Sequence, residues 1–208
     1  MKKILLFVLL TMLLCGCQDN KKLVMGTFEG FMEDNNQRVV FKIDESSMLI
    51  YPENEQIVYF NATIEDDVIV TDVAKFDYKI EDGVPYFYET SLFPKATRKD
   101  DGYLEGIIND LSLREKIVGQ WFVTVEDVDY YIDILRNAKY EIEVYTSNGD
   151  QMDGKILVYE DTENVLLSFE GDVDFSTFGK CQFTDANHFT INKYEFTRAP
   201  LDVFVALN

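Results

Sequence analysis

Cys181 and His188 stand seven residues apart, and a thiol with an imidazole is the one pairing in this sequence with the makings of a nucleophile and its base. Such a pair works only when the two groups reach hydrogen-bond distance and a third orients the base. Neighbouring strands would permit that spacing. His188 is the sole histidine, and it ends the turn-like stretch Asp185-Ala186-Asn187-His188. The residues therefore read as a small buried hydrophobe and an exposed turn side chain. Oxygen ligands for calcium are offered by Asp127-x-Asp129, Asp172-x-Asp174 and Glu65-Asp66-Asp67. None carries the glycine that a calcium loop requires, and the spacing of His and Cys fits no transition-metal site. Glycine-rich phosphate loops are absent from the sequence as well. The expectation is a protein that is not an enzyme, with no catalytic residue, cofactor or metal. Tyr86, Tyr88, Tyr130 and Tyr131 fit two readings, strand residues filling a core or the lining of a cavity mouth or carbohydrate-stacking face.

The 208 residues hold 19 basic and 38 acidic side chains, a formal charge of −19. That sign opposes nucleic acid and anionic lipid surfaces alike, so no nucleic-acid partner is expected. The acids scatter into every turn rather than forming a tail, as a solvated surface does. Met1-Lys2-Lys3 precedes an apolar run from Ile4 to Leu14 broken only by Thr11, and then Leu14-Cys15-Gly16-Cys17. A charged start, an apolar stretch too short to span a bilayer and small residues before a cut are the marks of a secretory signal. The four residues Leu14 to Cys17 resemble the lipobox of bacterial lipoproteins. The resemblance implies a signal over residues 1–16, a diacylglycerol on the Cys17 thiol and attachment to a membrane of the cell envelope. Removing the signal takes away two lysines and no acid, which leaves −21. Anchoring then falls to the acyl chains, at about 0.8 kcal/mol per buried methylene. With Cys17 lipidated, Cys181 has no disulfide partner, and the exported chain must be held by apolar burial.

Residues 17–22 read as a polar tether. Beyond them the period is two: Phe76, Tyr78 and Ile80 alternate with Lys75, Asp77 and Lys79, and Tyr140, Ile142 and Val144 with Lys139, Glu141 and Glu143. Strands with one buried and one wet face follow, and hence an antiparallel sheet or barrel. Further strands are expected at 38–43, 48–51, 56–63, 68–71, 131–135, 155–159, 165–169, 189–191 and 194–197. Leu104, Ile107, Ile108 and Leu111 instead fall at helical spacing, with acids before them and Arg114 and Lys116 after. This marks a helical connector over 99–116 between a unit at 23–98 and one at 117–208. Val24-Met25-Gly26-Thr27-Phe28 and Ile117-Val118-Gly119-Gln120-Trp121 open the two units in parallel fashion. A duplication, two unrelated sheets and one larger sheet all fit. The fold class is all-β, two tandem small antiparallel barrels or meanders joined by a short helix.

Gly119-Gln120-Trp121 heading a run of strands, with Arg198 just past the last aromatic strand, resembles the lipocalin family. The resemblance implies an up-and-down barrel over 117–198 in which Arg198 lies across Trp121 at the closed end, within about 6 Å of the ring centroid. In the first unit Phe28 stands for the Trp and no Arg follows Tyr88, so its closing contact is expected to be missing or different. The expected role is non-catalytic binding of a small apolar ligand or a partner protein. The alternative is a structural or assembly part that works through a strand edge or surface contact.

Overall fold

The computed structural model describes residues 20–32, 35–88, 96–135, 141–147, 149–170, 174–201 and 203. The signal segment, the lipobox with Cys17, and Asp172 lie outside them. Helix α1 (Asn20–Val24) begins within the stretch read as a tether. Eight strands follow: β1 (Gly26–Phe31), β2 (Arg38–Ile43), β3 (Ser47–Pro52), β4 (Val58–Ile64), β5 (Val68–Thr71), β6 (Lys75–Glu81), β7 (Val84–Tyr88) and β8 (Thr97–Lys99). They pair in chain order with β8 returning to β1, an antiparallel sheet open between β7 and β8 among the described residues. Helices α2 (Tyr103–Asp110) and α3 (Leu113–Ile117) come next. The second unit is β9 (Gly119–Val125), β10 (Val128–Ile134), β11 (Glu141–Thr146), β12 (Gln151–Tyr159), β13 (Asn164–Phe169), β14 (Phe175–Asp185), β15 (His188–Ile191) and β16 (Tyr194–Arg198). These close into a barrel through β9 and β16. The fold is all-β, a half-barrel followed by a barrel.

Alternation explains both cores. Inward residues of β9 and β10 (Trp121, Val123, Val125; Tyr130, Ile132, Ile134) meet Val165, Leu167, Phe169, Phe189, Ile191 and Phe196 from across the barrel. Phe28, Phe41, Phe60, Phe76, Tyr78 and Phe87 fill the half-barrel, with Phe28, Phe41 and Phe87 packed within 5.4 Å of one another by ring centroid. β3 breaks the alternation: Met48, Leu49, Ile50 and Tyr51 are all buried. Its outer face is covered by α2, whose Leu104 and Ile108 pack on Val40, Leu49, Tyr51 and Ile57. Lys42 and Glu105 add an ion pair at 2.8 Å between sheet and helix, and the Tyr103 hydroxyl accepts from Arg38 at 2.7 Å.

The connector differs from a single helix over 99–116. Lys99 belongs to β8, and the helix breaks at Leu111-Ser112, because Ser112 caps α3 in a reciprocal box with Glu115. At the other end of the barrel sequence Leu201 packs into the half-barrel core, while Val203 lies on the outer face formed by Phe122, Tyr131 and Tyr145. The residues after β16 thus fasten one unit to the other.

Gly119 sits at φ +124°, and a Cβ there would stand 2.5 Å from the Arg198 guanidinium. Gly106, within α2, has open space around it. Gly119→Ala is expected to lower stability by at least about 2 kcal/mol. Gly106→Ala should raise it by roughly 0.5 to 1 kcal/mol, since glycine in a helix costs about that much. Urea midpoints of the two variants check both signs.

Candidate functional site

The closed end of the barrel is built around Arg198. Its guanidinium carbon lies 4.1 Å from the Trp121 ring centroid, and the residue is 3% exposed. Among the described residues no carboxylate pairs with it. Nε donates to the Ala186 carbonyl (3.2 Å), Nη1 to those of Val118 and Ile57 (both 3.4 Å), and Nη2 to that of Lys116 (3.4 Å). Trp121 Nε1 donates to Ile117 at 2.8 Å. The carbonyls that α3 leaves unpaired at its C-terminal end are thus taken up by two side chains from the barrel. Burial pushes the Arg198 pKa down to about 9, still above neutral pH, so the cation persists. Phe189 meets the indole edge-on at 4.6 Å and stacks on Phe196 at 4.5 Å.

The half-barrel carries the same arrangement, and the expectation that no Arg follows Tyr88 is corrected. Arg98, on β8, lies 4.9 Å over the Phe28 ring, and its Nη2 donates to the Leu23 carbonyl at the end of α1. Register repeats too, with Phe28 opposite Arg98 and Trp121 opposite Arg198. Gly26 has φ +128°, as Gly119 has +124°. Leu23 and Lys116, whose carbonyls accept from the two arginines, each precede their glycine by three residues. The difference is exposure: Arg98 is exposed, whereas Arg198 is covered by Ile57 of the other unit. A three-residue strand of Thr, Arg and Lys has no apolar alternation by which sequence could reveal it.

Cys181 and His188 are not brought together. Cys181 lies in the barrel core opposite Ile191, three residues along β15 from His188, about 10 Å at strand spacing. Burial, with Glu163 adding to it, pushes the Cys181 thiol up to about 12. His188 pairs with Asp185 at 2.9 Å on the outside. Asp127 occupies the β9–β10 turn at φ +66°, and Asp129 accepts from Thr124 at 2.8 Å. Among the described residues no three His, Cys, Asp or Glu side chains cluster as metal ligands. Tyr130 is core, and Tyr131 stands on the outer face beside Phe122 at 5.4 Å.

Recesses open on the surface of the described residues. One of about 600 Å³ lies at the barrel end opposite Trp121, lined by Asp153, Lys155, Glu170 and Asp174 around Phe169 and Phe175. Another, about 330 Å³, lies where the units meet, between Tyr51 and Glu55 of the half-barrel and Leu111 to Val118 of the connector. Near the closed end, Asp133 faces Glu143 on β11 and Gln120 on β9. One of its oxygens is buried without a hydrogen-bond partner. Desolvation raises its pKa to about 6, partly offset by the Gln120 hydrogen bond and reinforced by Glu143.

Trp121 is the chain's single tryptophan, so its fluorescence reports on the barrel. Trp121→Ala is expected to cost roughly 3 to 5 kcal/mol. Arg198→Met should cost about 1 to 3 kcal/mol, because buried carbonyls lose their donors. A double-mutant cycle should show coupling of about 0.5 kcal/mol or more, and additive losses would contradict the contact. Asp133 behaves oppositely to a salt-bridged acid. Its folded pKa is raised, so stability falls as pH climbs from about 4 to about 6 and stays reduced above. Asp133→Asn should therefore stabilise at pH 7 by on the order of 1 to 2 kcal/mol and give no gain at pH 4; equal gains at both pH values would refute the assignment. Compared with protein-family models, curated proteins and solved structures, the chain finds no match.

Proposed function

We propose that the protein is an exported lipoprotein, anchored in an envelope membrane through acyl chains on Cys17, whose β units form a non-catalytic module for binding a partner protein. The observation that carries the partner over a small ligand is the filling of both interiors. Among the described residues, one continuous cluster of buried side chains fills the barrel and another fills the half-barrel. A lipocalin-like carrier needs an interior of some hundreds of Å³, and stacked rings occupy that space here. Recognition then falls to surfaces, where Phe178 and Tyr159 stand 56% and 46% exposed as an edge-to-face pair. The outer edges of β7 and β8, unpaired among the described residues, offer backbone groups for the assembly role.

A small ligand remains the second reading because of the 600 Å³ recess at the barrel's open end. Its ring of carboxylates suits a polar molecule better than an apolar one. Native mass spectrometry of the full-length protein, extracted in mild detergent from its own host, separates the readings. A co-migrating polypeptide is expected. A bound mass of a few hundred daltons would move the ligand reading to first place. The anchor has its own check: a clickable fatty acid should label the wild type and leave Cys17→Ala unlabelled, and equal labelling would overturn it.

A further inference from the structure

The recess between the two units has a composition that its neighbours do not share. Tyr51 and Val118, 7% and 5% exposed, form apolar walls with Leu111. Three charged side chains border it, Glu55, Arg114 and Glu115. Both acids are engaged. Glu55 accepts from Gln37 Nε2 at 3.1 Å, and Glu115 accepts from the Ser112 amide and hydroxyl at 3.0 and 2.7 Å. Arg114 is fixed at its backbone, where its amide donates to Glu160 at 2.9 Å. Its guanidinium has no hydrogen-bond or ion-pair partner among the described residues. A second small hollow shares Arg114 and Val118 and is walled by Ile117, Ile134, Ile156 and Val158. Apolar surface therefore continues on both sides of one unpaired cation.

We propose that this inter-unit cleft is a binding site for an amphipathic anion, with a carboxylate or phosphate head on Arg114 and an alkyl or aromatic body along Tyr51, Leu111 and Val118. A guanidinium presents a planar fork of donors that matches either oxyanion in bidentate fashion. At about 330 Å³ the cleft is at the small end of ligand sites, which sets the body at the scale of a single short chain. Glu55 and Glu115 already accept hydrogen bonds from Gln37 and Ser112, so the Arg114 guanidinium is the charge at this cleft left to meet an anion among the described residues. The site differs from the surfaces assigned to a partner protein and does not depend on them.

The test uses the full-length protein in nanodiscs of zwitterionic phosphatidylcholine, irradiated with a diazirine-bearing dodecanoate and, in a parallel arm, with the matching dodecyl phosphate. Saturable crosslinks on peptides carrying Tyr51, Leu111 or Val118 are expected. They should fall at least tenfold in Arg114→Glu and stay unchanged in Lys155→Gln, a cation at the other recess. The stronger arm names the head group. Arg114 is exposed, so the variant should keep the wild-type melting temperature. Labelling that ignores Arg114, that spreads over the surface without saturating, or that is matched by the uncharged dodecanol probe would overturn the proposal.

Discussion

A buried guanidinium held by carbonyls alone sets the terms for the rest of this molecule. Among the described residues Arg198 is held by four carbonyls and an aromatic face, with no carboxylate as its partner. Taking such a charge out of water costs several kcal/mol unless its donors are satisfied. Each satisfaction imposes a constraint elsewhere. The carbonyls of Lys116 and Val118 must point inward, so α3 must end where it does. The guanidinium must pass where a side chain of residue 119 would stand, so that position is glycine at φ +124°. The indole must lie beneath, so β9 and β16 must pair in the register that sets Trp121 opposite Arg198. The fourth carbonyl comes from Ile57, which places a loop of the half-barrel against the barrel's closed end.

The same device in the half-barrel shows what that covering does. Arg98, Phe28, Gly26 and the end of α1 repeat the arrangement position for position. Phe28 is buried there, but Arg98 is exposed. A phenyl face is smaller than an indole and attracts a cation less, and water competes for the exposed donors. The weaker clasp accompanies a sheet in which β8 is three residues long and β7 finds no partner beyond β6 among the described residues. Across that side the rings of Phe28 and Phe87 meet at 5.3 Å. One architecture thus appears twice, once sealed and once ajar.

Sequence revealed this architecture where alternation was clean. Lys75–Glu81 was legible because Phe76, Tyr78 and Ile80 share one face and Lys75, Asp77 and Lys79 the other, and Arg38–Ile43 and Val68–Thr71 were legible residue for residue as short β-branched and aromatic runs between turn clusters. β14 was missed, although at eleven residues it is the longest strand among the described residues. Its inward positions include Thr177 and Gly179, and its outward ones include Phe178, which blurs the period that marks a strand. Gly179 is small because the Asn192 side chain fills the space beside it and donates to Thr177 and Phe178. That requirement is tertiary and leaves no local signal. The helical pattern of Leu104, Ile107 and Ile108 was legible, but the break at Ser112 was hidden, since Leu111 continues the apolar spacing past it. Arg198 and Trp121 were legible as a pair through their resemblance to a family pattern; Arg98 was not, because nothing within Thr97–Lys99 announces a strand.

Acid placement and core filling together shape what such a protein can offer its surroundings. The hairpins take the carboxylates because turns are where solvated side chains and positive φ are tolerated, as at Asp82, Glu126 and Asp127. The strands take the rings, and their packing leaves the interiors closed. A barrel in that state presents chemistry only on its outer wall and at its ends. There, a surface of overall negative sign makes each exposed apolar group and each unpaired cation an exception. Phe178 with Tyr159 on the wall and Arg114 in the cleft are the clearest such exceptions. Binding energy comes from desolvating apolar area and from charge that is not already paired. On the proposed reading of the chain as a binding module, recognition concentrates where the acidic coat is interrupted.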